Sequence, residues 1–215
     1  MTDIVKNVKN VKSKEMLLTL ARVAAGGGGG DRIAVARSIL DGTVTEYIDP
    51  ELTKVAIPMS STIAVFKCHN VKSIVNSGLY GSKCTSLAFP RVTSLGITCF
   101  RASTQLQAFD LGANCSSIPG NTFYDCHSLK TLVLRRTAGV ISLTSTAFTG
   151  TPFASDGSGG DIYIPKSLYD KLGAGTNDYK SATNWSAFNS YGTITWHPIE
   201  GSIYETQYVD GTPIS

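Results

Sequence analysis

One apolar phrase recurs about every 23 residues through the middle of this chain. Leu95, Ile118 and Ile141 stand 23 residues apart, and Phe100, Phe123 and Phe148 follow them by five, five and seven. Leu106 and Leu129 are again 23 apart, as are Phe109 and Leu132. The template reads (Leu/Ile)-x4-Phe-x5-Leu-x2-(Phe/Leu), written almost twice without a gap and a third time loosely. A period of about 20 to 29 residues with leucine-like residues in fixed slots is the pattern of a leucine-rich solenoid. It predicts that Phe123 points inward and stacks on Phe100 and Phe148.

Weaker copies precede it. Val71-Lys72-Ser73-Ile74 is echoed by Val92-Thr93-Ser94-Leu95 after 21 residues, and Phe66 and Phe89 are 23 apart. The repeats are read over residues 52–153, four to five turns in all, above the minimum of about three that such arrays need.

A 215-residue chain with 42% hydrophobic and 16% charged residues has the composition of a folding sequence. Its 21 glycines suit a turn-rich β fold. With 19 basic and 16 acidic residues, the charge of +3 gives no case for nucleic acid. No run approaches the roughly 20 apolar residues of a membrane span. Five cysteines, Cys68, Cys84, Cys99, Cys115 and Cys126, contain no Cys-x-x-Cys pair. An odd count suggests neither a zinc site nor a full disulfide set, so no metal and no cofactor are expected. Cys84 and Cys126 fit repeat slots as small buried hydrophobes, and both are expected to be reduced and inaccessible.

Residues 1–25 form a separate segment. Ile4, Val8, Val11 and Leu18 make one apolar stripe, with Lys6, Lys9, Lys12 and Lys14 largely off it, which predicts an amphipathic helix. Met16 to Ala25 resembles a secretion signal in composition, but Glu15 opens it and Arg22 interrupts it, so cytosolic synthesis is the expectation. Residues 26–30 are five glycines. They lack the preceding strand and the Gly-Lys-Ser/Thr ending of a phosphate loop and are read as a flexible joint. Residues 31–51 are read as an N-terminal cap: a short helix over Arg32–Asp41 stopped by Gly42, then a strand from Thr43 to Ile48.

The period ends at Gly150. Residues 154–200 predict a C-terminal cap of α+β character. It comprises a loop over Asp156–Asp161, a strand at Ile162–Ile164, a helix from Pro165 through Leu172, a second helix near Tyr179–Phe188 anchored by Trp185, and a strand through Ile194 and Trp196. Residues 201–215 are a weakly patterned tail.

Asn121-Thr122-Phe123-Tyr124-Asp125-Cys126-His127-Ser128-Leu129 resembles the Ala-Phe-x-x-Cys-x-Ser-Leu unit of BspA-type leucine-rich repeats. Ala147-Phe148-Thr149-Gly150 and Val92-Thr93-Ser94-Leu95-Gly96 carry the same likeness. Ile162-Tyr163-Ile164-Pro165 and Tyr179-Lys180-Ser181-Ala182-Thr183-Asn184-Trp185 are similar to the cap that often trails such repeats. The resemblance covers about residues 45–200. It implies a β-rich α/β solenoid and a choice among surface adhesins, secreted virulence-related proteins and virion proteins of phages that infect gut bacteria.

Convergent chemistry is sparse. His127 adjoins Cys126, a conceivable thiol–imidazole pair, but it falls at a turn position and is expected to face solvent. Asp156-Gly157-Ser158-Gly159-Gly160 resembles a serine nucleophile loop only superficially and is read as a surface loop. Asn114-Cys115-Ser116 and Asn184-Trp185-Ser186 match glycosylation sequons, relevant only in a eukaryotic secretory setting. Arg91, Arg101, Arg135 and Arg136 suggest either a basic stripe or, preferred, a solvated face of mixed charge. Tyr80 and Tyr124 suggest either a sugar-binding rim or, preferred, core aromatics.

The expectation is therefore a non-enzymatic virion protein, a head or tail fibre, decoration or adsorption subunit. Its N-terminal helix would join it to other virion proteins and to copies of itself, a trimer being favoured. Its repeats would face a host surface protein or glycan. The alternative is a bacterial leucine-rich-repeat adhesin or interaction module at the cell surface.

Overall fold

The computed structural model describes residues 32–33, 45–56, 58–59, 61–153, 158–187 and 194–214. The assembly residues Ile4, Val8, Val11 and Leu18 and the glycine run lie outside them. Each turn of the repeat contributes one strand to each of two columns, and all strands pair in parallel. The first column holds β4 (Val65–Lys67), β6 (Ser86–Phe89), β8 (Ala108–Leu111) and β10 (Thr131–Leu134). The second column holds β3 (Leu52–Val55), β5 (Ser73–Ile74), β7 (Ser94–Leu95), β9 (Ser117–Ile118) and β11 (Ser142–Leu143). Two entry strands, β1 (Arg32–Ile33) and β2 (Glu46–Ile48), pair with β3 and β4. Two exit strands, β12 (Gly160–Ile164) and β13 (Ile194–Pro198), extend the main sheet to the order β13-β12-β10-β8-β6.

Equivalent positions stack. Leu87, Phe109, Leu132, Ile162 and Trp196 form one register row, and all five are buried. Across the core, Leu79, Phe100, Phe123 and Phe148 make a ladder with no exposed surface. Phe123 stacks on Phe100 at 5.4 Å and on Phe148 at 4.9 Å, as the repeat predicts. Phe109 meets Phe123 edge-on at 4.8 Å, which locks the two layers together.

Two left-handed backbone slots per turn bend the chain between strands. The first holds Ser77, Thr98 and Asn121, and the second Gly81, Ala102, Asp125 and Gly150, all at φ between 55 and 73°. A residue with positive φ reverses the chain locally, so the same pair of reversals recurs in three successive turns, and the turn of Phe148 keeps the second at Gly150. Ladder bonds such as Gly81 N–H to Arg101 O, Ala102 N–H to Tyr124 O and Asp125 N–H to Thr149 O then tie successive corners.

The sequence-derived register needs one correction. Leu143, not Ile141, pairs with Ile118, so Phe148 follows its strand residue by five like its predecessors. The extra two residues lie between β10 and β11, where length adds nothing to the core. Ile141 is buried as well, its N–H accepted by the Tyr179 hydroxyl and its carbonyl receiving the Trp185 Nε1–H. These side chains satisfy backbone groups that a further strand would otherwise have paired.

The flanking segments differ more. Arg32–Ile33 is extended and paired to β3, not the start of a helix; 34–41 lie outside the described residues. The helix expected from Pro165 through Leu172 is a single turn, α1 (Lys166–Tyr169). No helix forms over Tyr179–Trp185, which runs in turns. Asp178 caps a single turn, its carboxylate accepting the Lys180 N–H and its carbonyl the N–H groups of Ser181 and Ala182, and Asn184, left-handed at φ 65°, interrupts any continuous helix. Tyr179 and Trp185 still bury fully and close the end of the core.

Candidate interaction surface

Where Leu79, Phe100 and Phe123 point inward, the next residues point outward and lie side by side: Tyr80, Arg101 and Tyr124. Tyr80 is 39% exposed and Tyr124 half-buried, so these aromatics rim the exterior and are not core, against the preferred reading of the sequence. The Arg101 guanidinium sits over the Tyr124 ring, 4.6 Å from its centroid. Such a contact is worth about 0.5 to 1 kcal/mol at an exposed site, and it fixes both side chains. Arg101 Nε is buried without a hydrogen-bond acceptor. Ile97, half exposed, lies three residues before Phe100 in the same corner, beside the hydrogen-bonded hydroxyls of Ser77 and Thr98 at 2.9 Å. The result is an aromatic, cationic and hydroxylic strip held in register by the turn ladder.

A second face carries different chemistry. Ala88, Asp110, Val133, Tyr163 and His197 are one register row on the outer side of the main sheet. The first three are buried although they point away from the core, because residues 199–214 lie over them. Arg135, 14% exposed, donates through Nε and Nη2 to both oxygens of fully buried Asp110, each at 2.7 Å. The same guanidinium donates to the carbonyls of Tyr204 and Gln207 and stacks under the Tyr208 ring at 4.9 Å. Further along, His69 meets the Asp210 carboxylate at 2.7 Å and packs on Tyr208. Burial pushes the Asp110 carboxyl above its ordinary range, against the pull of Arg135. At Asp210 desolvation is outweighed by the bonds from His69 and Thr212, and its carboxyl is held below that range. Arg135 is therefore no part of a solvated mixed face, and the weakly patterned tail after Glu200 is tied to the sheet through it.

The remaining sequence candidates separate. Cys126 is buried and its thiol donates to Phe100 O at 3.1 Å, while exposed His127 bonds Gly150 O at 2.7 Å. Burial pushes the Cys126 thiol up to about 12 and Cys84 up to about 11, so both are neutral thiols near pH 7. All five cysteines are free and buried. They fill different slots: Cys84 takes the place of Leu106 and Leu129, and Cys126 that of Ser82 and Ser103, whose hydroxyls bond each other at 3.1 Å. The Asp156-Gly157 part of the glycine-rich loop lies outside the described residues. Among the described residues no group of three or more His, Cys, Asp or Glu is placed to hold a metal ion. No helix among them is long and apolar enough to cross a membrane.

Residues 54–155 match the BspA type Leucine rich repeat region, in six copies. The repeat region is thus of the class that the phenylalanine ladder and the parallel register define. No curated protein and no solved structure matches the chain.

Proposed function

We propose that this chain is a non-enzymatic presenting subunit: the repeats hold out a binding surface for a protein or glycan, and residues 1–25 attach it to a virion. The observation that carries the binding half is the outward row of Tyr80, Arg101 and Tyr124, a rigid aromatic and cationic strip on stacked turns. Flat aromatic rings suit the apolar faces of sugar rings and the side chains of protein loops, and a preorganised strip loses little entropy on binding. A repeat array of the BspA type is consistent with an interaction or adhesin role. The attachment half is supported by the apolar stripe Ile4, Val8, Val11 and Leu18 and by the five glycines behind it. A bacterial adhesin would use the same strip without joining a particle.

The test is binding of the full chain to a glycan array and to host-cell surface fractions, alongside Tyr80→Ala and Tyr124→Ala. Each substitution is expected to weaken the bound ligand at least fivefold while leaving the melting temperature within a few degrees. Unchanged binding by both variants would remove the strip from the account.

A further inference from the structure

We propose that the outer face of the main sheet is a second recognition surface, for a protein segment that presents a tyrosine and, two residues on, an aspartate at a turn. Residues 202–214 are its resident occupant, and they close it until displaced. This site is separate from the Tyr80 strip and does not rest on the reading given for that strip.

The contacts divide as they do in a peptide site. Arg135 reads backbone: it bonds the carbonyls of Tyr204 and Gln207, groups that any suitably placed segment offers. Two further contacts read side chains. Tyr208 is held between the Arg135 guanidinium at 4.9 Å and the His69 ring at 5.2 Å. The Asp210 carboxylate, 3% exposed, is held by His69 at 2.7 Å. Generic backbone capture joined to two specific side-chain contacts is how recognition grooves combine affinity with selectivity. The floor fits this use, since Ala88 and Val133 offer small apolar surface, and Asp110 fixes the Arg135 fork.

The occupant is built to move as a unit. Tyr208 N–H bonds Thr212 O, Gly211 N–H bonds Tyr208 O and Ile214 N–H bonds Thr206 O, so residues 206–214 form their own small hairpin. The last ladder bond before it is Ile199 N–H to Ile164 O. Gly201 follows at φ +84°, with open space where a Cβ would stand. Beyond that hinge the segment crosses from Tyr163, which meets Tyr204 at 4.7 Å, back to His69 near the other end of the repeats. Ile203, 62% exposed, gains no shelter from the closed arrangement.

A tethered occupant competes at an effective concentration on the order of millimolar, so a ligand in solution binds the closed protein weakly. The probe is a fluorescent synthetic peptide of residues 202–214, titrated by anisotropy into full-length protein. Tyr208→Ala/Asp210→Ala protein is expected to bind it at least tenfold more tightly than wild type, and adding His69→Ala should remove most of that gain. A peptide with Tyr208 and Asp210 exchanged for alanine should not bind. If the doubly substituted protein stays folded and binds no better than wild type, the proposal fails. Hydrogen exchange on wild type checks it without any substitution. The amides of Tyr208 and Ile214 should exchange at least a hundredfold faster than that of Phe123, and equal protection would make the segment a fixed part of the core.

Discussion

Phe123 lies nearly flat on Phe148, their centroids 4.9 Å apart and their planes 15° from parallel, and on its other side it stacks on Phe100 at 19°. Each ring comes from a different turn, so the contact joins units 25 and 23 residues apart. Truncating a buried phenylalanine costs about 3 to 5 kcal/mol. Against a typical stability of about 5 to 15 kcal/mol, Phe123→Ala should lower the thermal midpoint by about 6 to 20 °C. Differential scanning calorimetry measures this directly.

The second prediction concerns the corner slot. Gly150 adopts φ +73°, and a Cβ there would sit 2.6 Å from Asp125 Oδ1. Alanine in a left-handed conformation costs about 1 to 2 kcal/mol before any clash. Gly150→Ala should therefore destabilise, while Ala102→Gly, in the same slot at φ 59°, should be neutral or stabilising. Urea unfolding of both variants should give midpoints that move in opposite directions, or only the first should move.

The phenylalanine ladder was legible because its residues recur at near-constant spacing and share one buried column. The two-residue extension between β10 and β11 was not, since Ile141 and Leu143 are both apolar and only pairing tells which one stacks on Ile118. The turns before Trp185 were read as a continuous helix because apolar spacing does not reveal the left-handed backbone at Asn184 that interrupts it. The sheet-face cluster was the least visible. Asp110 and Arg135 stand 25 residues apart, and His69 and Asp210 stand 141 apart, so no local pattern links them.

Thiol chemistry gives a third test. Cys84 and Cys126 have no exposed surface, and burial raises both thiols to about 11 and 12. A disulfide reagent at pH 7.5 should leave them unmodified in the native protein and label them after denaturation. Rapid native labelling of both, mapped by mass spectrometry, would contradict their placement in the core.

Acid should act through Asp178. Burial pushes its carboxyl up, but the N–H groups of Lys180, Gly173 and Gly175 outweigh that and hold it below the ordinary range. A carboxyl with a lowered folded value stabilises above the ordinary value of about 3.9 and loses that contribution as the pH falls through the folded value. Asp110, raised by burial, has the opposite sign, its contribution growing as the pH falls. Hence the stability difference between wild type and Asp178→Asn should be largest near pH 6 and shrink below about pH 4. Melting curves across that range decide the sign, and a difference that widens in acid would contradict it.

The central claim is that the repeat body presents a surface while residues 1–25 attach it. The attachment half rests on the sequence, on the apolar stripe of Ile4, Val8, Val11 and Leu18 and the five glycines that follow. The decisive measurement compares full-length protein with a form lacking residues 1–30, scored for particle incorporation by mass spectrometry of purified virions and for assembly by light scattering. The account predicts that the shortened form stays folded, keeps its ligand binding, and is lost from particles and from oligomers. A shortened form that loads onto particles at the full-length level, in the same assembly state, would contradict it.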